Sequence, residues 1–500
     1  MPSNWYPMAM QAILWVILSL AGLLSVGAYL TNPFSRFSII ARPFRVTMVQ
    51  QSFEAINENH RIRVRQNVGW KAFAYAACAI HILWSRYARS PRARSTTVEG
   101  IVADIHRLRF DPENLLVISG DHFSALYVRN LGVFYYPLLD RSVPSTTDDW
   151  HRRQSVYLQT VAYALGVFSR QTRLTTTIVP TSRYGATCVN LYTYPSDTLF
   201  GMLYALAVLR NKETAQPYRY APPLHRLNSR TASKLLLKEY RDVLATHYER
   251  YRETVFDAGE MSIKTSIHLS GAKDITRRTC SFYDNVIFWK TTELAMSLKL
   301  IDKDKDFLRQ LKARILETFW LDAEGYFLED LDPVSIRHRY YSSDWLIALA
   351  TGFLDPADPG ERSYFTRSID YIQRSGVDQP FGLRYHNDRR AHRQFLPVRL
   401  AVASYGGDAI WSFWGMEYIK VLLALHRETG NTRYLKAADE QIGAYQRAIV
   451  RDRGFPEVYD GEGRLLQTPL YRSIRQTGWV IGFEQVLAIR SQQAERSEPN

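Results

Sequence analysis

Asp408-Ala-Ile-Trp-Ser-Phe-Trp-Gly-Met-Glu-Tyr-Ile-Lys-Val-Leu-Leu-Ala-Leu425 carries apolar residues around nearly the whole circumference of a helix. A helix without a polar face has to be surrounded by protein. The pattern recurs. Asp121-His-Phe-Ser-Ala-Leu-Tyr-Val-Arg-Asn130, Asp197-Thr-Leu-Phe-Gly-Met-Leu-Tyr204, Asp284-Asn-Val-Ile-Phe-Trp-Lys290 and Asp344-Trp-Leu-Ile-Ala-Leu349 precede this stretch. Gln476-Thr-Gly-Trp-Val-Ile-Gly-Phe483 follows it. The six sites are spaced by roughly 60 to 90 residues, about one helical hairpin and a loop. Between them lie amphipathic segments with charges on one face: Gln154–Phe168, Ala232–Tyr248, Lys305–Thr318, Arg362–Arg374 and Thr432–Ile449. An inner ring of apolar helices wrapped by an outer ring satisfies both patterns. The expected fold is all-α, an (α/α)6 toroid of about twelve helices. The inner helices should start at one mouth, where their polar first turns collect.

Aspartate is also among the best helix N-caps, worth about 1 kcal/mol over alanine. Asp121, Asp197, Asp344 and Asp408 therefore have a capping reading beside a functional one. The two are compatible if the inner N-termini share a cavity.

Composition is that of a core-forming chain: 500 residues, 46% hydrophobic and 13% aromatic. Aromatic rings suit stacking on sugars, though a large helical barrel uses them as filler as well. The net charge of +14 raises nucleic acid or an anionic membrane as partners. No zinc-ligand spacing, helix-turn-helix signature or RNA-binding aromatic motif is present, so nucleic acid is set aside. Cys78, Cys188 and Cys280 are too far apart for a metal or disulfide framework. No phosphate-cradling glycine loop, nucleophile elbow or His-Glu-x-x-His occurs, and neither metal nor organic cofactor is expected.

Met8 to Leu30 has no charged residue and is long enough to span a bilayer core, with no basic segment before it. An uncleaved membrane anchor is the preferred reading over a signal peptide. Arg36, Arg42 and Arg45 follow the span, which by charge bias places the main domain in the cytoplasm. Phe73–Trp84 is too short for a confident second span. The expected organisation is an anchor at 1–30, a basic connector with accessory helices at 31–98, the barrel at 99–492 and a polar tail at 493–500.

Two segments hold more than capping chemistry: Ser281-Phe-Tyr-Asp284-Asn285, and Phe455-Pro-Glu457-Val-Tyr-Asp-Gly461-Glu-Gly463 followed by Gln476-Thr-Gly478-Trp479. Both resemble the six-hairpin glycosidases, most of all glycoside hydrolase family 63 (processing α-glucosidases and mannosylglycerate hydrolases) and more remotely the trehalases. Tyr283-Asp284-Asn285 is similar to the segment that supplies the general acid in those families. Glu457-Val-Tyr459, with Gly461 and Gly463, is similar to the region of the base, and Thr477-Gly478-Trp479 to the last inner helix. Phe319-Trp-Leu-Asp-Ala-Glu-Gly325-Tyr-Phe resembles a turn after an outer helix. Tyr127-Val-Arg129-Asn130 resembles an Arg-Asp segment, with Asn in place of Asp. The chain departs from the pattern after Asn285, where Val-Ile-Phe follows, and lacks a Gly-Gly-Glu-Tyr before Gln476.

The resemblance implies an inverting glycoside hydrolase, of the α-glycosidase kind, acting on an oligosaccharide or glycoside. Asp284 would be the acid and Glu457 the base, held about 6.5–9.5 Å apart. Burial beside Tyr283 and Trp289 would keep such an acid protonated near neutrality. Asp121, Arg129, Asn285, Asp344, Trp345, Asp408, Trp411, Trp414, Gln476 and Trp479 are the candidate substrate-binding residues. The resemblance to processing enzymes favours an extracytoplasmic catalytic domain, against the charge bias. Two other classes stay open: a non-catalytic glycan-binding or scaffold protein on the same barrel, and a lyase, epimerase or phosphorylase.

Overall fold

The computed structural model describes Ser19, Ser38–Ile39 and residues 91–109, 126–135, 147–169, 174, 176–181, 185–189, 194–211, 229–273, 276–388, 393–394 and 396–497. All of Met8–Leu30 but Ser19, all of Phe73–Trp84, and Asp121 with His122 lie outside these described residues. Among the described residues no helix is long and apolar enough to cross a membrane.

Amphipathic helices form one layer: α1 (Val98–Arg109), α2 (Thr147–Phe168), α4 (Ser229–Val255), α6 (Lys305–Phe319), α8 (Pro359–Ser375) and α10 (Thr432–Asp452). Helix α6 shows the logic. Asp304 caps it by accepting the Phe307 N–H, and it buries the single stripe Leu311, Ile315 and Phe319. Asp358 with Pro359 starts α8, and Gly376 in the left-handed conformation ends it.

The second layer alternates with the first along the chain: the 126–135 segment, α3 (Thr198–Asn211), α5 (Phe282–Ser297), a 3-10 turn Ser343–Leu346 continuing into α7 (Ile347–Ala350), α9 (Ser412–Thr429) and α11 (Val480–Ser497). Each of these contacts the next. The circle closes where the Phe134 ring stacks on Trp479, 5.8 Å away, and Tyr135 packs against Gly478. Glu484 on α11 reinforces the closure, pairing with His106 of α1 and lying 3.8 Å from Arg153 of α2. Among the described residues, six inner elements thus alternate with six outer helices in a closed ring. Helix α5 is buried on every side from Phe282 to Trp289, as its all-round apolar sequence there requires.

Two inner elements differ from the long helices expected. In the first, Leu126–Tyr127 pairs as a strand with Thr177–Ile178, and Val128–Leu131 is a 3-10 turn. The reason is close approach: a side chain at Gly201 would lie 2.5 Å from the Val128 carbonyl, so this backbone rests directly on α3. The sheet continues through Thr177–Thr181 and Gly185–Val189 to Ser38–Ile39. The β-branched run that ends at Val179 thus lies in the strand Thr177–Thr181, which pairs with Gly185–Val189. In the fourth inner element, helix ends at Ala350. Gly352 takes a positive φ of 69° and Asp355-Pro356 follows.

Short bridges tie the N-terminal ends of four inner elements into a girdle. Ser281 pairs with Asp330, Leu328 with Tyr341, Ser342 with His386, and Arg384 with Ile410. Ile410–Trp411 pairs with Val458–Tyr459, and Phe455 with Gln476. This girdle is the rim on which the candidate residues sit.

Candidate active site

Ser281 is the N-cap of α5. Its Oγ accepts the Asp284 N–H at 3.1 Å and donates its own proton to Asp284 Oδ2 at 2.5 Å. Asp284 sits at N3, where a capping box would return a bond to the N-cap N–H; here its carboxylate accepts the Ser281 hydroxyl proton instead. The capping reading therefore belongs to Ser281. Asp284 Oδ1 is buried and has no donor among the described residues. Gly271 crosses beside it, where a Cβ would lie 2.9 Å from Oδ1 and 2.7 Å from the Tyr283 ring. Only glycine lets this loop pass so close. Trp289, expected to line the acid, faces α6 instead: its indole N–H donates to the Leu308 carbonyl and its ring meets Phe353.

Buried charges surround Asp284. The Arg278 guanidinium is fully buried. It donates through Nη1 to Asp344 Oδ2, which also accepts the Tyr385 hydroxyl at 3.4 Å. Asp344 is thus an ion-pair partner and caps no helix. Lys273 Nζ lies 2.6 Å from Glu329 Oε1 and 4.6 Å from the centre of the Tyr385 ring. His386 Nε2 is 3.6 Å from Glu329 Oε2, while Nδ1 accepts the Asp388 N–H. Burial alone would raise the Glu329 carboxyl, but Lys273, then His386 and Arg278, outweigh it and hold it well below the ordinary range. Burial lowers His386, so its imidazole is neutral near pH 7, as an accepting Nδ1 requires. On the other flank Arg129 donates to the Gly271 carbonyl at 2.6 Å and approaches Asp197 Oδ1 at 3.4 Å. Asp197 Oδ2 accepts the Tyr283 hydroxyl at 3.1 Å.

Glu457 enters from the far side of the girdle. Its carbonyl accepts the Ser412 N–H at the start of α9, and its own N–H donates to the Ile474 carbonyl. The residue is partly exposed, one position before the strand that pairs with Ile410–Trp411. Asp408 lies further along the same strand pair, with Gly461 packed against its carboxylate. Helix α9 starts only at Ser412, so Asp408 is not its cap.

Aromatic rings fill the axis beneath the rim. Tyr283 and Trp414, on non-adjacent inner helices, meet edge to face at 6.4 Å, and Tyr385 stacks on Trp414 at 6.4 Å. Phe134 lies 4.1 Å from Phe413, and Trp479 packs between Phe134 and Trp411. Trp414 is almost fully buried and forms floor. Trp411 donates to the Tyr405 carbonyl and Trp345 to the Tyr341 hydroxyl, with Trp345 packed outward on Phe365. Trp479 Nε1 is buried with no acceptor among the described residues. Asn285 has both amide ends on backbone, accepting from Ile263 N and donating to the Ser281 carbonyl. Gln476 donates to the Pro91 carbonyl. The structure therefore gathers Arg129, Asp284 and Asp344 around one charged cluster. It sets Asp408, Trp411, Glu457 and Trp479 along the rim, and engages Asn285, Trp345 and Gln476 with the protein itself.

No known family profile matches the chain, and no curated protein does. Solved structures do. A rhamnosidase from Klebsiella oxytoca with rhamnose bound aligns at TM-score 0.47 and 14% identity, over 82% of this chain and 66% of that one. A cellobiose 2-epimerase from Spirochaeta thermophila DSM 6192 aligns at TM-score 0.48 and 10% identity, over 80% of this chain and 98% of that one. A neutral trehalase from Saccharomyces cerevisiae aligns at TM-score 0.47 and 13% identity, over 76% of this chain and 74% of that one.

Lys273, Arg278, Glu329, Tyr385 and His386 escaped the sequence reading. Arg278 stands three residues before the capping serine, and Glu329 two residues after Phe327, which ends the Gly325-Tyr-Phe turn. Neither position carries a periodic signal. They meet only because the girdle brings three separate loops side by side.

Proposed function

We propose that the chain is a carbohydrate-active enzyme that hydrolyses a glycosidic bond with inversion, in the manner of glycoside hydrolase family 63. Asp284 is the general acid and Glu457 the general base. The observation that carries the reading is the Asp284 carboxyl: one oxygen is fixed by Ser281 and the other is buried without a donor among the described residues, in the first turn of an inner helix. A group aimed in this way can transfer its proton to a leaving oxygen. Glu457, on the opposite arc of the rim and partly exposed, would take a proton from the attacking water. Bond cleavage leaves the aglycone with the proton from Asp284 and the sugar with hydroxide from water, so the pair exchanges charge and is reset by solvent.

The test is hydrolysis of a glycan panel, with product anomers followed by NMR. Asp284→Asn keeps the shape and the oxygen held by Ser281 while removing the transferable proton. Activity should fall by about 10²–10⁴-fold with the fold intact, and Glu457→Gln should do likewise. Near wild-type rates in either variant would overturn the assignment, as would conversion of a free sugar into its epimer without hydrolysis. No metal is required by this chemistry. We further propose that Met8–Leu30 anchors the protein in a membrane with the barrel outside the cytoplasm. Protein lacking residues 1–30 that still sediments with membranes after a high-salt wash would refute the anchor.

A further inference from the structure

Arg278 has a property that the catalytic pair does not explain. Its side chain is completely buried, yet among the described residues Nε and Nη2 have no acceptor, and Nη1 alone is engaged there, on Asp344. Buried guanidinium donors without partners are rare because such groups lose water and gain nothing in return. The Arg278 guanidinium carbon lies 5.5 Å from the centre of the Tyr283 ring, and Asp284 is its second-strongest carboxylate neighbour after Asp344. Arg278 and Asp284 form no ion pair. Unmatched donors on one and an unmatched acceptor, Asp284 Oδ1, on the other therefore stand near each other in a dry setting.

The group that matches both is one that accepts and donates at once, a hydroxyl. A carboxylate matches less well. Arg278 and Lys273 are already balanced by Asp344 and Glu329, so no cation in the cluster is left without a counter-charge. A further anion would enter a low-dielectric site with no unbalanced cation to pair with, whereas a hydroxyl brings no charge. We infer that Arg278 is a specificity-determining residue that binds a hydroxyl of a neutral sugar residue next to the bond presented to Asp284, and that the site rejects uronic acids. Asp344 and Tyr385 hold the guanidinium fork in place for this role, a geometry lysine cannot reproduce. The inference rests on the proposed reading of the rim as a sugar site, but not on Asp284 being the acid.

The test uses the full-length chain in detergent and a fixed panel: D-glucose, D-mannose, D-galactose and L-rhamnose against D-glucuronate and D-galacturonate. Binding is read by saturation-transfer NMR and calorimetry, and turnover on the matching 4-nitrophenyl glycosides. At least one neutral sugar should bind, and its uronate should bind at least about tenfold more weakly. Arg278→Lys keeps a cation for Asp344 and should weaken the neutral sugar about ten- to hundredfold. Because that variant could be misfolded, the double variant Arg278→Gln, Asp344→Asn removes both charges together and should show the same loss with a normal melting profile. A uronate that binds as tightly as its neutral parent overturns the inference. So does unchanged affinity in a folded Arg278 variant, or no neutral sugar binding at all. Arg278-dependent binding with no hydrolysis of any glycoside leaves this subsite standing and refutes the hydrolase. Asp284-dependent hydrolysis with affinity indifferent to Arg278 does the reverse.

Discussion

At the scale of single residues, the capping serine couples stability to chemistry. Ser281 both starts α5 and fixes one oxygen of Asp284. Ser281→Ala should cost about 1 kcal/mol, read as a lowered denaturant midpoint with unchanged slope. It should also reduce turnover, because Asp284 would be free to rotate. Ser281→Thr keeps the hydroxyl and should retain most of both. An alanine variant as stable and as active as the wild type would remove Ser281 from the positioning role. The sequence showed an aspartate in the first turn of an inner helix. The cap of that helix is Ser281, three residues earlier, and among the described residues Asp284 Oδ1 has no partner.

At the scale of elements, inner and outer helices meet through small residues. A Cβ at Gly415 of α9 would lie 1.9 Å from the Tyr445 hydroxyl of α10. Tyr445 Oη is itself buried with no partner among the described residues. Gly415→Ala should therefore destabilise by overpacking, about 1–3 kcal/mol. Tyr445→Phe should be neutral or stabilising, since a buried unpaired hydroxyl costs about 1–3 kcal/mol. The two changes together should recover part of the loss, which a double-mutant cycle in urea measures. Strict additivity would show that the helices do not pack as described. Amphipathic outer helices were legible because burial of one face writes a 3.6-residue period into the chain. The first and fourth inner elements were not. Apolar residues there serve a strand, a 3-10 turn and an eight-residue helix as well as they would serve a long one, and only Gly201 and Gly352 in the folded chain decide which.

At the scale of the whole molecule, acid should loosen the barrel from the inside. Burial lowers both His247 and His386 from the ordinary value of 6.5. The unfolded chain then binds protons that the folded chain refuses, so stability is lost as pH falls from 6.5 toward the folded values. Glu329, held well below 4.5, adds a further loss at lower pH. Asp330 and Asp378 act in the opposite sense: burial raises both, so their contribution favours the folded state at low pH and declines as pH rises through their folded values. The melting temperature should fall as pH drops below 6.5, and His247→Gln with His386→Asn should flatten that fall, since each amide can keep the ring's backbone hydrogen bond. An unchanged slope in the double variant would disprove the assignment. The repeat of apolar helices, each opened by a polar residue, and the amphipathic partners between them determined the ring by themselves, because periodicity is a local consequence of which face is buried. Asp284 was legible for the same reason, as a carboxylate in the first turn of an inner helix. Arg278, Lys273, Glu329 and His386 were decided by the tertiary structure alone. Their roles come from burial and from partners many residues away, and such pairings leave no period in the chain.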